Sequence, residues 1–352
     1  MKKEKIFFVN DYATVAHPNL LKALSEANFN NEMGYGDDDY CQEAINLIKK
    51  ECGNDDVDVF FLMGGTQTNM IVLNSILRSY QGVISAQTGH IATHETGAIE
   101  RGGHKVLTIE ANEEGKLNAK QIEDCCNDYN NDVNSLHIVQ PGCVYISHPT
   151  ESGALYTKDE LIEINEVCKK EGLLLYVDGA RLGYALASIK NNITLKDLTF
   201  LTDVFYIGGT KCGAMLGEAL VINNKELTPY IRYSMKPCGG LLAKGMILGI
   251  QFKELFTNNL YVEICKKADD MAQRIANTFE ECGYTMFTKS YTNQQFVIID
   301  NESLKKFDEL YDFAMWMRID DEHSIVRVCT SWSTSEQMIS SLINDIKRFR
   351  LN

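Results

Sequence analysis

From residue 57 to residue 222 one pattern recurs: a short apolar run, a polar turn, then a stretch with helical periodicity. The strand-like runs are 57–62, 83–85, 106–109, 143–146, 173–177, 204–207 and 219–222; helical patterns cover 67–79, 93–101, 118–129 and 158–171. Apolar runs without polar alternation belong to strands buried on both faces, as in parallel sheets. Strands alternating with helices build βαβ units. The chain is therefore expected to be α/β, with a mostly parallel central sheet flanked by helices.

Two of these runs end in reactive groups. Run 173–177 ends at Asp178, within Tyr-Val-Asp-Gly-Ala-Arg, and run 204–207 leads through Gly-Gly-Thr to Lys211. Open α/β sheets bind ligands beyond the carboxyl ends of their strands. A carboxylate and an amine held there suit pyridoxal phosphate: the lysine forms a Schiff base, and the aspartate pairs with the pyridinium nitrogen and keeps the ring an electron sink. Either residue alone would read as a surface lysine or a helix cap. Together with a phosphate site they favour the cofactor.

That phosphate site is Met63-Gly64-Gly65-Thr66-Gln67-Thr68-Asn69, which follows a strand and opens a helix. Glycines allow close backbone approach, and a helix N-terminus offers free N–H groups at its positive end. Gly65, Thr66 and Gln67 are the expected cradle, with a hydroxyl from Thr66 or Thr68. Neither a P-loop nor the G-x-G-x-x-G pattern is present. His90 follows the next strand, where an imidazole can stack on a ring and move a proton. His94 and Glu95 lie one turn on, and Glu95 either orients an imidazole or faces solvent. Arg181, three residues after Asp178, suits a substrate carboxylate or a surface ion pair. Arg327 interrupts an apolar strand pattern and calls for an anionic partner. Lys236 and Lys244 flank a glycine turn, reaching a phosphate or facing solvent. No position is assigned to a metal.

The net charge of −14 argues against nucleic acid and anionic membrane surfaces as partners. Eleven scattered cysteines without C-x-x-C spacing, and no long apolar segment, point to a soluble protein of a reducing cytoplasm. Cys212, beside Lys211, reads as a packing residue. Residues 1–18 form an extended arm carrying Asn10-Asp11, followed by a large domain over 19–250 and a small α+β domain over 251–352. Helices are expected at 20–27, 39–51, 240–256 and 260–282. The segments 295–299, 303–317, 325–329 and 335–350 make up the α+β cap.

These motifs, in order along nearly the whole chain, resemble the threonine aldolase family of fold type I pyridoxal-phosphate enzymes. The match runs from Asn10-Asp11 and Gly34-Tyr35-Gly36-Asp37, through Gly64-Gly65-Thr66, His90 and Asp178-Gly179-Ala180-Arg181, to Lys211 and Arg327. The resemblance implies that Lys211 carries the cofactor and Asp178 pairs with its ring nitrogen. Gly65, Thr66 and Gln67 would cradle the phosphate and His90 would stack on the ring. Arg181 and Arg327, with Asn10, would bind the substrate carboxylate. It also implies a homodimer or homotetramer with sites at subunit interfaces.

Departures lie around the substrate. Where many members have Arg-Ser-Asp-Thr this chain has Val9-Asn10-Asp11-Tyr12, and the usual Ser-Lys-Gly is Thr210-Lys211-Cys212. The arginine common near the glycine turn is missing around 235–245. Pro149-Thr150-Glu151-Ser152-Gly153 stands where many members have Glu-Asn-Thr-His. The implied reaction is retro-aldol cleavage of a β-hydroxy-α-amino acid, such as threonine or allo-threonine, to glycine and an aldehyde. The alternatives are β-elimination or another amino-acid lyase or transferase reaction on the same fold and, more remotely, a non-catalytic binding protein.

Overall fold

The structure, a computed structural model, describes residues 5–349; the first four residues of the expected arm and Arg350 of the last expected helix lie outside the described residues. The arm contributes strand β1 (Ile6–Phe8). Strands β2 (Asp58–Leu62), β3 (Gln81–Ala86), β4 (Val106–Ile109), β5 (Gln140–Ser147), β6 (Leu174–Asp178), β7 (Val204–Gly208) and β8 (Glu218–Ile222) form a seven-stranded sheet in the order β2-β8-β7-β6-β5-β3-β4. From β7 across to β4 every pairing is parallel, whereas β8 runs antiparallel to both β7 and β2. The remaining strands, β9 (Thr285–Met286), β10 (Gln294–Asp300), β11 (Tyr311–Arg318) and β12 (His323–Cys329), join β1 in a second sheet ordered β1-β11-β12-β10-β9. The expected division near residue 250 falls inside the helix Met246–Phe256. We propose a two-lobe division based on the sheets, with β1 belonging to the smaller one.

Strand alternation explains the layers. On β5, β6 and β7 the residues Val144, Ile146, Leu175, Val177, Phe205 and Ile207 enter one core, beneath helices such as Asp39–Cys52 and Lys158–Glu171. Their neighbours Cys143, Tyr145, Tyr176, Val204 and Tyr206 enter a second core, against the helix Gly65–Ile76. A third core, with Phe8, Phe279, Phe307 and Val328, fills the smaller lobe. Helix limits follow from local chemistry. Thr157 and Glu160 form a reciprocal capping box at the start of Lys158–Glu171, and Gly172, at φ 67°, ends it in the left-handed region.

Two expected helices are corrected. The 93–101 pattern splits into His90–Thr93 and Ala98–Arg101, because Thr96 and Gly97 take φ of 53° and 73° and turn Glu95 inward. The helix expected from Gly240 begins only at Met246. The preceding Gly245 packs against the turn at Gly36, where a Cβ would lie 2.5 Å from the Gly36 nitrogen. The pattern also left helices Leu182–Ala187, Leu195–Leu201 and Thr228–Met235 unassigned. Among the described residues no helix is long and apolar enough to cross a membrane.

Candidate active site

The topology brings five chain segments to one edge of the large sheet. The C-terminal ends of β2, β3, β5, β6 and β7 lie there and lead to Gly64, His90, Ser147, Asp178 and Lys211. Antiparallel β8 starts at the same edge with Glu218. A cavity of about 290 Å³ is lined by Gly64, Gly65, Thr66, His90, Glu151, Asp178, Arg181, Tyr206, Lys211 and Glu218, among others. A neighbouring cavity of about 360 Å³ shares Tyr12, His90, Glu151, Arg181 and Lys211 with it and adds His94, Trp316 and Arg327 from beyond the sheet edge. A larger cavity, about 450 Å³, opens between Tyr35–Cys41 and Phe60; none of the expected site residues lines it.

Asp178 is buried and accepts four hydrogen bonds. Asn69 Nδ2 at 3.0 Å and the Tyr145 hydroxyl at 2.6 Å reach Oδ2; the Ala180 N–H at 3.0 Å and the Tyr206 hydroxyl at 2.5 Å reach Oδ1. Burial alone would raise its pKa, but these donors, the two tyrosines above all, hold it below the ordinary aspartate value. Gly65 is needed for this arrangement: a Cβ there would come within 2.9 Å of the Tyr206 hydroxyl. Lys211 has its pKa lowered, first by burial and then by the Arg181 charge. A neutral amine is the form that condenses with a carbonyl. Burial likewise raises the Glu218 carboxyl, which accepts from the Gly209 N–H at 3.0 Å, against the opposing pull of Thr210 and Lys211.

Glu95 orients His90. Its Oε1 lies 2.8 Å from His90 Nδ1 and accepts from Asn69 Nδ2 at 2.7 Å, so Asn69 bridges Glu95 and Asp178. Burial pulls the His90 pKa down, yet the bond to Glu95 and the Asp178 charge raise it overall.

The helix end at Gly65 lines the same cavity. The helix Gly65–Ile76 has no side-chain cap, and the N–H groups of Gly65, Thr66 and Gln67 find no acceptor among the described residues. Thr68 Oγ1 donates to the Gly64 carbonyl, which leaves Thr66 as the free hydroxyl beside the cavity. These groups fit pyridoxal phosphate: an uncapped helix end for an anion, a buried lysine with lowered proton affinity and a buried aspartate held ionised by its donors, all on one cavity. The four donors on Asp178 fill its lone-pair directions, so a ring N–H pairing with it would take the place of one of them. Tyr206 is the one of the two tyrosines that lines the cavity.

Other expected residues lie elsewhere or are engaged. Arg181 lines both cavities, but its Nε and Nη2 donate to Asp11 at 2.7 and 3.0 Å. Asn10 lines neither; its side chain accepts from the Tyr12 N–H at 3.1 Å. Lys236 is exposed, its ammonium 4.3 Å from the centre of the Tyr35 ring and outside the lining of this cavity, and Lys244 is exposed as well. Arg327 donates to Gln294 at 3.1 Å and to the Val9 carbonyl at 2.9 Å, and its Nε is buried without an acceptor. Cys212 is fully buried. Sequence reasoning missed Asn69, Tyr145, Tyr206 and Glu218. The signal was present: Tyr145, Tyr176 and Tyr206 put a hydroxyl into largely apolar strands two residues before their ends, and so share a face with Asp178.

The family model for beta-eliminating lyases matches residues 8–302. The chain belongs to the beta-eliminating lyase family. Among its relatives is the low specificity L-threonine aldolase of Pseudomonas sp. (strain NCIMB 10558), 30% identical over 349 residues and covering 97% of this chain and 96% of the relative. The solved structure of Leishmania major threonine aldolase superposes with a TM-score of 0.94 at 42% identity, covering 97% of this chain and 99% of that one. A single mutant of aspartate aminotransferase from Thermus thermophilus matches at a TM-score of 0.72 and 13% identity, over 98% of this chain and 92% of that one, which marks the fold alone. The fold is that of the fold type I pyridoxal-phosphate enzymes within which this lyase family falls.

Proposed function

We propose that this enzyme is a pyridoxal-phosphate-dependent aldolase that cleaves a β-hydroxy-α-amino acid, of the threonine or allo-threonine kind, to glycine and an aldehyde. The observation that carries this is the pair of joined cavities, one with Lys211, Asp178, His90 and an uncapped helix end, the other with Arg327. The relatives named threonine aldolase support the same substrate class. When bound, the cofactor supplies an electron sink conjugated with Cα.

Lys211 would provide the amine that holds the cofactor. Asp178, kept ionised by its donors, would pair with the ring nitrogen. The Gly65, Thr66 and Gln67 N–H groups take the phosphate, and His90, braced by Glu95, covers one ring face. Arg327, which lines the second cavity, would take the substrate carboxylate and hold the amino acid in one orientation. Burial, and then the charge of Arg181, lowers the proton affinity of Lys211. The free cysteines support a reducing, cytoplasmic setting, and exposed Phe29, Met33, Tyr230 and Tyr233 support self-association into a homo-oligomer.

The test is product analysis of the cofactor-loaded protein with L-threonine, L-allo-threonine and phenylserine, with Lys211→Ala as the inactive control. Glycine with the matching aldehyde is expected. An α-keto acid with ammonia would overturn the aldolase assignment in favour of β-elimination.

A further inference from the structure

The roles above leave two acids in the site without a task, Glu218 and Glu151, and only Glu151 also lines the cavity that holds Arg327. Glu151, in the loop after β5, lines both cavities and is the only acid lining the one that holds Arg327. Ser147 Oγ at 2.7 Å and the His90 backbone N–H at 2.9 Å both donate to its Oε1. Among the described residues nothing donates to Oε2, and that oxygen is not among the enclosed polar atoms. The carboxyl group is thus anchored at one oxygen and presents the other to the space between the ring site and Arg327.

We infer that Glu151 is the group that accepts the substrate's β-hydroxyl proton as the Cα–Cβ bond breaks. The inference rests on the retro-aldol reading and supplies its missing base. The O–H proton moves to Oε2, and the freed O–H pair becomes the second bond of the aldehyde carbonyl. The Cα–Cβ pair stays on Cα, delocalised toward the cofactor, until a proton arrives there to complete glycine. In the synthetic direction the proton returns from Oε2 to the new hydroxyl.

His90 is less suited to the task. Glu95 and Asp178 raise its proton affinity, and Nδ1 is committed to Glu95. Burial pushes the Glu151 carboxyl up, with Asp178 adding to it, while Ser147, a backbone N–H and His90 oppose. That direction moves the acid toward neutrality, where proton transfer in both directions is efficient. Across the cavities Lys211, Arg181, His94 and Arg327 face it as well.

Glu151→Gln is the test, because the amide oxygen still accepts from Ser147 and His90. Cofactor absorbance and the spectrally read glycine Kd should match the parent. Turnover of phenylserine should fall on the order of 10²- to 10⁴-fold, with the pH profile losing its acid limb. Exchange of the glycine Cα proton in D₂O, which needs no β-hydroxyl, should stay within about threefold of the parent. Glu151→Asp should recover part of the turnover. Turnover of the Gln variant within about threefold of the parent would overturn the role. So would parallel loss of exchange and cleavage, or loss of cofactor absorbance, either of which would make Glu151 a positioning residue. A parent that releases no aldehyde would overturn the aldolase reading itself, and this role with it.

Discussion

Asp11→Asn is the substitution whose cost follows most directly from the structure. Asp11 is 1% exposed and receives Arg181 Nε at 2.7 Å, Arg181 Nη2 at 3.0 Å and Asn293 Nδ2 at 3.0 Å. Asn293 also donates to the Thr330 carbonyl at 2.9 Å. One carboxylate therefore ties the N-terminal arm, the large sheet and the smaller lobe together. The isosteric amide keeps one acceptor, removes the charge and turns an NH₂ toward a guanidinium. Breaking a buried pair in this way costs about 3–5 kcal/mol, because the remaining charge stays buried without its partner. Each kcal/mol shifts Tm by ~2–4 °C in domains of 150–250 residues; at the lower end, suited to this longer chain, the expected loss is about 6–10 °C.

Calorimetry of parent and variant, both without cofactor, measures it, since a ligand bound to the folded state would add its own stabilisation. The pair Asp11→Leu with Arg181→Met should recover most of the loss, since a buried ion pair exchanges for apolar groups at little cost. The pH dependence has a definite sign. Burial would raise the Asp11 pKa, but Arg181 and Lys211 hold it below the ordinary value. A depressed carboxylate contributes stability that is present above the unfolded value, about 3.9, and lost as pH falls through the folded one. The gap between parent and Asp11→Asn should thus be constant from neutrality down to about pH 5 and close below about pH 4. A Tm drop equivalent to less than about 1 kcal/mol, or a gap independent of pH throughout, would refute the clamp.

Three further outcomes are expected. Arg327→Gln should raise KM for the amino acid about ten- to a hundredfold, through loss of a charge-assisted contact, and leave cofactor absorbance unchanged; an unaltered KM would remove Arg327 from the carboxylate site. Tyr206→Phe empties one lone-pair direction on Asp178 and should tighten cofactor binding up to about tenfold in a spectral titration; weaker binding would show that the hydroxyl is not displaced. Glu95→Gln should move the His90 titration, followed by NMR, to lower pH, since burial would then act with less opposition. The stabilisation from the parent His90–Glu95 pair is present below the unfolded histidine pKa and fades as pH rises through the folded value.

What was legible in the sequence was what the strand and helix periods encode locally. Asp178 and Lys211 were findable because apolar runs ended just before them, and the helix 158–171 because Thr157 and Glu160 bracket its first turn. The uncapped helix at Gly65 was legible for the same reason. The capture of Arg181 by Asp11 was not. Those residues are 170 positions apart, and an ion pair closed by the packing of separate segments has no period and no spacing rule. Nothing in either local sequence tells a guanidinium bound to an internal carboxylate from one waiting for a substrate.

The tyrosines around Asp178 fall between these cases. Tyr145 pairs with Tyr176 in the β5–β6 register, and Ser147 with Asp178. One strand over, Tyr206 stands two residues before the end of β7. Period-2 alternation places all three phenols on the aspartate's face, where their neighbours Cys143, Leu174 and Val204 are aliphatic or small. A polar hydroxyl buried in such a layer requires a partner, and the one charge on that face of β6 is Asp178. The same logic explains Glu218, an acid opening an otherwise apolar strand at the edge where Lys211 sits. Reading the polar exceptions within buried strands, rather than only the residues that terminate them, would have recovered the layer that fixes the charge of Asp178.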